Sequence, residues 1–480
     1  MPPHRDPAGI QGRRPGDRRV RVELVKPREY AVRPPRRVRR PTSPAVVLIA
    51  GFAILIAVGA VVLALPVSSA SGTWTDPIVA LFTATSAVCV TGLIVVDTGT
   101  YWSPFGHLAI ALLMQVGGFG FMTGSTLLLF LLVGRRTGLR DRVLVQATTD
   151  TANLGHVTTL VKRIAVFTLI AEVAGTVLLG VAFALRGQDL LGAAWWGVFH
   201  SISAFNNAGF DLVGEFRSLS PYVDDPLVLA PIGILIVIGG LGFAIIGDAV
   251  AKRRWSRWAL ETKLVLPTTL ALIAAGTLAI GWFDWNNPET LGALPSEQRP
   301  LNALFEAVTL RTAGFSTLPT GSLAEPSLIV FMALMFIGGA SGSTAGGIKV
   351  NTFVILLVAI VSTARGLPSA VAFGRRIAHL LIYRALAIAL LGIAGVFLVA
   401  LGLEARGGGP FLRALFETIS AVGTVGASTG ITRELSDPAR LLIAVGMFVG
   451  RLGPLTLVVA LTARARPVSH RPALETIRIG

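Results

Sequence analysis

Long apolar runs alternate along this chain with short polar, often basic, loops. A bilayer core about 30 Å thick is crossed by a helix of about 20 apolar residues. Runs of that kind lie at Ala45–Val67, Leu108–Val133, Ile164–Leu185, Leu227–Ile246, Leu264–Trp282, Leu380–Leu403 and Leu441–Leu461, and one more begins at Leu328–Ile337 and continues into a glycine-rich stretch. Taken in pairs, they enclose four shorter, half-apolar segments: Pro77–Val90, Ala193–Ala208, Leu301–Ala313 and Phe411–Val425. Each is too short to cross and too apolar for a solvated loop, which predicts a re-entrant pore helix followed by an extended strand. Irregular backbone at that depth is tolerated only where it lines a polar cavity. The pattern therefore predicts an all-α integral membrane protein. Four helix–pore-loop–helix units, 45–142, 143–258, 259–365 and 366–462, would stand in pseudo-fourfold symmetry with eight transmembrane helices, between tails at 1–44 and 463–480.

Each short segment closes on a glycine. The four read Ser86-Ala-Val-Cys-Val-Thr-Gly92, Ser203-Ala-Phe-Asn-Asn-Ala-Gly209, Val308-Thr-Leu-Arg-Thr-Ala-Gly314 and Ser420-Ala-Val-Gly-Thr-Val-Gly426, with the glycines 117, 105 and 112 residues apart. The residues leading into them are Cys89, Val90 and Thr91; Asn206, Asn207 and Ala208; Arg311, Thr312 and Ala313; and Thr424 and Val425. Their side chains differ freely between copies, which side-chain coordination would not permit and main-chain coordination would. A desolvated monovalent cation needs a ring of oxygens in place of its water. Carbonyls supply one without fixed charge, and glycine allows the backbone geometry. The expectation is a cation pore with K⁺ held by the filter carbonyls of these residues and of Gly92, Gly209, Gly314 and Gly426. Ordinary glycine turns are the plainer account of any single copy, but they do not explain four copies in matched context.

A second register repeats 24–30 residues further on: Val116-Gly-Gly-Phe-Gly-Phe121, Ile238-Gly-Gly-Leu-Gly-Phe243, Ile337-Gly-Gly-Ala-Ser-Gly342 and Val449-Gly-Arg-Leu-Gly-Pro454. Small residues let helices approach closely, and in the first two units that reading is preferred to a direct role. In the third unit the run Gly338-Gly339-Ala340-Ser341-Gly342-Ser343-Thr344-Ala345-Gly346-Gly347 is too rich in glycine and serine to hold a helix in lipid and would form a flexible barrier beneath the filter. It lacks the Gly-x4-Gly-Lys-Ser/Thr spacing of a phosphate-binding loop. Arg451 stands inside the last apolar run, where an arginine costs about 2.5–3.5 kcal/mol on insertion scales. It is expected to face the pore, or to pack against a carboxylate or carbonyls. Lys349, Asp248 and Glu172 are expected at the membrane interface, while Asp211 and Glu417, near the mouth, either attract cations or accept hydrogen bonds.

Composition narrows the class. Only 14% of residues are charged, against about 25% in soluble domains. The net charge of +16 raises nucleic acid as a partner, but residues 1–44 alone hold twelve arginines and one lysine against four acids. Most of the remaining excess lies in loops (Arg135, Arg136, Arg140, Arg142, Lys162 and Arg163; Lys252, Arg253, Arg254 and Arg257; Arg365, Arg375 and Arg376). The opposite loops carry Asp97, Asp189, Glu215, Asp224, Asp225, Asp284, Glu289, Glu297 and Glu325. By the positive-inside rule both termini are cytoplasmic, in a plasma (inner) membrane, and the pore loops dip from outside. The basic tail is expected to be disordered against anionic lipid. No apolar core precedes residue 45, as a signal peptide would require, and the single cysteine, Cys89, excludes an intrachain disulfide.

From Ala45 to Thr462 these motifs resemble the Trk/Ktr/HKT superfamily of potassium transporters, nearest to its Ktr-type membrane subunits. The segments Ser203–Asp211, Arg311–Phe315 and Gly423–Ile431 are the specific ones. The resemblance implies potassium uptake, with glycine in all four filter positions going with potassium rather than sodium. It implies an intramembrane gate at Gly338, Gly339, Ser341, Gly342, Ser343, Gly346 and Gly347, with Arg451 beside it as an electrostatic barrier. It further implies a homodimer on a cytoplasmic nucleotide-binding regulatory ring, a lipid environment, no covalently bound cofactor, and in some systems a role for Na⁺. Ala427, where the family commonly has leucine, and Cys89 depart from the pattern. The alternatives are a coupled secondary transporter of sodium or a small solute, normally built from inverted repeats, and a membrane enzyme. For an enzyme the spans show no nucleophile, base or metal-ligand constellation.

Overall fold

The computed structural model describes residues 44–134, 154–407 and 409–453. The two terminal tails, Arg135, Arg136, Arg140, Arg142 and the end of the last apolar run lie outside them. Among the described residues the chain is helical apart from loops and one small hairpin, β1 (Val371–Ala372) with β2 (Arg375–Arg376).

The order long helix, short helix, long helix recurs. It begins with α1 (Pro44–Ala64), α2 (Pro77–Val88), the one-turn α3 (Thr98–Tyr101) and α4 (Pro104–Gly134). It continues with α5 (Leu154–Leu185), α6 (Leu190–Phe205) and α7 (Pro226–Lys252), then α8 (Leu260–Asp284), α9 (Arg299–Thr309) and a helix split into α10 (Glu325–Phe336) and α11 (Val350–Ala364). It closes with α12 (His379–Glu404), α13 (Phe411–Gly423) and α14 (Asp437–Leu452). Proline opens α2, α7, α9, α10 and α14 within their first two positions, where its missing N–H costs nothing. Asp76, Asp189 and Asp225 cap α2, α6 and α7 by accepting backbone N–H groups, satisfying donors that helix geometry leaves free.

Six helices, α1, α4, α5, α7, α8 and α12, are long and apolar enough to cross a bilayer. The eight runs expected from hydropathy fall short of that measure twice: at the split α10/α11 and at α14, which reaches the edge of the described residues. Burial sorts the six. The most apolar windows of α1, α5, α8 and α12 are 22–28% buried, and those of α4 and α7 are 50% buried. The first long helix of each recurrence is therefore outer, presenting side chains such as Ile54, Ile170, Leu278 and Phe397 outward; the second is inner.

The inner helices close the architecture. α4 packs on α2 and reaches α6; α7 packs on α6 and reaches α9; α10 reaches α13; α14 packs on α13 and returns to α2. Glycines permit these approaches. A Cβ added at Gly117, Gly239 or Gly450 would overlap the carbonyl oxygen of Val88, Phe205 or Val422, at the C-terminal ends of the short helices. In the second recurrence the glycine patch does more than allow packing. Gly242 leaves helical geometry (φ 73°, ψ 166°) and kinks α7.

Candidate functional site

All four glycine segments follow one backbone course. The short helix ends, the residue two before the glycine takes a left-handed conformation, and the glycine itself has positive φ. Those residues are Val90 (47°), Asn207 (57°), Thr312 (74°) and Thr424 (50°), and the glycines are Gly92 (89°), Gly209 (72°), Gly314 (79°) and Gly426 (97°). A non-glycine residue held there costs on the order of 1–3 kcal/mol, so the same strained position in four copies marks a shared constraint. The N–H groups between them are bound inward to their own helices. Thr91, Ala208, Ala313 and Val425 each donate at 2.8 Å, to the carbonyls of Ser86, Ser203, Thr309 and Ser420.

The carbonyls of those same four residues are treated differently. Among the described residues no hydrogen-bond donor reaches the oxygens of Thr91, Ala208, Ala313 or Val425. Each lies against the glycine of a neighbouring segment, in cyclic order: Ala208 O at Gly92, Ala313 O at Gly209, Val425 O at Gly314 and Thr91 O at Gly426, so close that a Cβ on any of these glycines would overlap it. Segments more than a hundred residues apart in sequence thus meet in one ring. Glycine is required twice over, for its φ and for the space.

In three of the four copies the strand beyond the glycine is pinned to the short helix behind it. Glu417 Oε1 accepts from Thr429 N (2.8 Å) and Ser428 Oγ (2.7 Å), and its Oε2 from Thr432 Oγ1 (2.6 Å). Glu306 accepts from Thr317 N (2.7 Å), and His200 Nε2 from Leu212 N (3.3 Å). The amide three residues past the glycine is the one that finds a short-helix side chain. Of the two roles open to Glu417, accepting hydrogen bonds is the one its buried position provides. Glu306 and His200 were not singled out from the sequence, although each lies eight or nine residues before its glycine, as Glu417 does.

On one side of the ring lies a cavity of about 410 Å³, bordered by the four glycines, the hydroxyls of Ser218, Ser316 and Ser428, Asp211, and Arg217 and Arg433. Arg217 pairs with Glu215 (3.2 Å), and Arg433 stacks on the Phe216 ring (5.3 Å). Asp211 accepts from Val213 N (3.0 Å). Burial, reinforced by the charge of Asp97, pushes its carboxyl up to about 7.

On the other side stands the loop between α10 and α11. Its ends are tied together by Gly338 N to Ile348 O (2.7 Å) and Val350 N to Gly339 O (3.0 Å). Ala340 N and Thr344 N donate to Gly240 O and Gly239 O (2.8 and 3.2 Å), on the turn of α7 that its kink interrupts. The sequence suggested a flexible barrier here; in the structure the loop is tethered by these bonds. Ser341 is fixed by Asn351 (2.8 Å), Ser343 bonds back to Ala340 O (2.6 Å), and Gly342 and Gly347 turn at positive φ. The loop abuts the residues two before the four glycines. Thr344 Oγ1 reaches Asn207 Oδ1 (3.2 Å), and a Cβ at Gly338 or Gly346 would crowd Thr312 or Thr424.

Side chains of the segments face away from the ring into this scaffold. Arg311 Nη2 donates to Gly338 O (2.8 Å), and Asn207 Nδ2 donates to Arg311 O (3.3 Å). Asn206 Nδ2 bonds Gln115 Oε1 (2.9 Å) and Glu172 Oε1 (3.2 Å). Glu172 is therefore not interfacial as expected: it is buried within α5, behind the second segment. Its place near the middle of the run Ile164–Leu185 was the available signal, because an acid at that depth calls for a partner. Asp248, by contrast, ties the loop after α7 through Thr262 (2.7 Å) and Ala259 N (2.8 Å). Arg451 is fully buried against the carbonyls of Thr344 and Gly117. Lys349, also expected at the interface, instead caps the loop by donating to the carbonyls of Ala345 and Gly346. Cys89, at the end of α2, is buried and free.

The chain is similar to several known proteins. The TrkH family, described as cation transport protein, matches residues 37–466. Ktr system potassium uptake protein B of Bacillus subtilis is 41% identical over 417 residues, covering 87% of this chain and 92% of that protein. The protein of the same description from Vibrio alginolyticus is 38% identical, covering 91% and 95%. Potassium/sodium uptake protein NtpJ of Enterococcus hirae is 35% identical, covering 93% and 99%. The crystal structure of the potassium transporter TrkH from Vibrio parahaemolyticus shares the fold with a TM-score of 0.70 at 19% identity, covering 89% of this chain and 87% of that one.

Proposed function

The chain belongs to the TrkH family of cation transport proteins, and on that premise we propose that it takes up potassium through the ring of backbone carbonyls described above. Membership makes it a transport protein rather than an enzyme, and an all-α, multi-span membrane fold is what such a protein requires. The observation that carries the reading is the set of four carbonyls, of Thr91, Ala208, Ala313 and Val425, that no donor among the described residues satisfies and that lie in cyclic order against four glycines. A buried carbonyl without a partner is costly, and a desolvated monovalent cation is a partner that four converging carbonyls suit.

On this reading residues 89–92, 206–209, 311–314 and 424–426 form the filter, and 338–347 with Arg451 form a gate beneath it. The units are bounded at 45–142, 143–258, 259–365 and 366–462 and related by a pseudo-fourfold axis, with eight crossings when α10/α11 and α14 are counted. Both termini are cytoplasmic, and the 410 Å³ cavity is the external vestibule. The names of the relatives support a membrane subunit of a Ktr-type system, working as a homodimer with a cytoplasmic nucleotide-binding regulatory ring. Rubidium or potassium uptake into proteoliposomes holding this chain, with sodium as competitor, tests the proposal. Potassium-selective flux that rises when part of 338–347 is deleted is the expected result. No cation flux, even with that deletion and an added regulatory ring, overturns it.

A further inference from the structure

Three parts of the chain remote in sequence meet at one aromatic ring. Phe121 lies on α4, one helical turn beyond Gly117, and is 6% exposed. The Arg451 guanidinium carbon stands 4.3 Å from its ring centroid and Lys349 Nζ 5.0 Å. Phe52 of α1 backs the ring edge-to-face, with centroids 6.5 Å apart and planes at 88°. Both cations also hold the loop: Arg451 through Thr344 O, Lys349 through Ala345 O and Gly346 O. Among the described residues neither makes a salt bridge to a carboxylate.

Arg451 is fully buried and Lys349 half-buried, and two like charges brought this close repel. Carbonyl dipoles offset part of that, and the remaining group in contact with both is the Phe121 ring, whose electron-rich face attracts cations more strongly the drier the site. We propose that Phe121 is a positioning residue for the gate: its ring gathers Arg451 and Lys349 at one point, and through them holds the loop 338–347 across the conduction path. The inference rests on reading that loop as the gate. Weakening the ring's attraction frees one or both cations, loosens the loop at Thr344–Gly346 and raises flux through the closed pore.

The test is rubidium uptake into proteoliposomes holding the full chain without a regulatory ring, in which the basal flux is the closed-state leak. Phe121→Leu removes the quadrupole. Because it also alters packing, Phe121 is in parallel replaced by mono-, di- and trifluorinated phenylalanine, which keeps the ring's shape while draining its electron density. Deletion of 338–347 serves as the measure of a fully open path. Leak that climbs stepwise with fluorination, reaching about tenfold for the trifluorinated ring (equivalent to about 1.4 kcal/mol), is the expected result, with Phe121→Trp at or below the parent. A flat series beside a leaky deletion overturns the role of Phe121 and leaves the gate reading standing. A deletion that does not leak overturns the gate reading, and the inference with it.

Discussion

Replacing Gly92 by serine tests the ring most directly, and its consequence follows from coordinates. Gly92 has φ 89°, a region where a Cβ costs about 1–2 kcal/mol per residue. The new Cβ would also overlap Ala208 O and stand 3.1 Å from Gly209 Cα. Both are backbone atoms, so neither can swing aside as a side chain would. The second segment is further restrained because Ala208 N is bonded to Ser203 O at 2.8 Å. Relief therefore comes from displacing a strand, which withdraws one of the four unpartnered carbonyls from the ring. Discrimination of potassium from sodium is expected to fall tenfold or more, since tenfold corresponds to only about 1.4 kcal/mol, comparable to the backbone strain alone. The assay is sodium competition against rubidium uptake in proteoliposomes, with Gly92→Ala and Gly120→Ala alongside. Gly92→Ala should lose selectivity as well, because the Cβ rather than the hydroxyl does the damage. Gly120→Ala should behave as the parent, because a Cβ there meets nothing within 4 Å. Normal flux with potassium preference within twofold of the parent, in either Gly92 variant, would refute the ring argument.

External pH should modulate uptake through Asp211, whose carboxyl burial and Asp97 push up to about 7. An acid with a raised value is ionised above it and neutral below, so flux should decline as external pH drops from 8 to 6. A unit charge at close contact with an ion in water is worth at most about 1 kcal/mol, or about fivefold, and Asp211→Asn should flatten the profile at the low-pH level. Glu417→Ala removes the acceptor of the Thr429 amide and of the Ser428 and Thr432 hydroxyls and should lower stability by about 1–3 kcal/mol for each donor left unsatisfied. Glu417→Gln, which keeps an oxygen, should lose less; denaturation in detergent followed by tryptophan fluorescence reads the difference. Gly450→Ala, which would drive a Cβ into Val422 O, should reduce the yield of folded protein on size exclusion, and Gly120→Ala should not.

Much of this was legible in the chain because the constraint is repeated. Period-matched glycines pointed to the ring segments, and the structure adds why glycine is needed: positive φ and a neighbouring carbonyl where a Cβ would sit. Hydropathy located the long helices but could not tell outer from inner, since both are apolar and only packing distinguishes them. The kink at Gly242 was hidden for a similar reason: Gly239 and Gly242 look alike in sequence, yet one admits a helix end and the other breaks α7 where the loop docks. Glu172 and Lys349 were misplaced because a lone charge in an apolar run has no visible partner until the fold brings up Asn206 and Gln115 for one, and loop carbonyls for the other.

The two glycine registers express a single electrostatic arrangement. Gly117, Gly239 and Gly450 let inner helices close on the C-terminal carbonyls of α2, α6 and α13, so those helices end at the ring instead of short of it. Each helix terminus carries about half a negative charge, and four of them converging supply roughly two. A cation stripped of water is favoured in that field on the loop side of the ring, and that is where Arg451 and Lys349 are held. Two fixed cations nearly cancel what four helix ends provide. On the proposed reading of ring and gate, the field that draws potassium through the carbonyls also holds the barrier, so anything that moves Arg451 or Lys349 away restores the attraction for the ion at the moment it removes the obstruction. On that reading the gate needs little motion, because displacing either side chain changes both terms in the same direction.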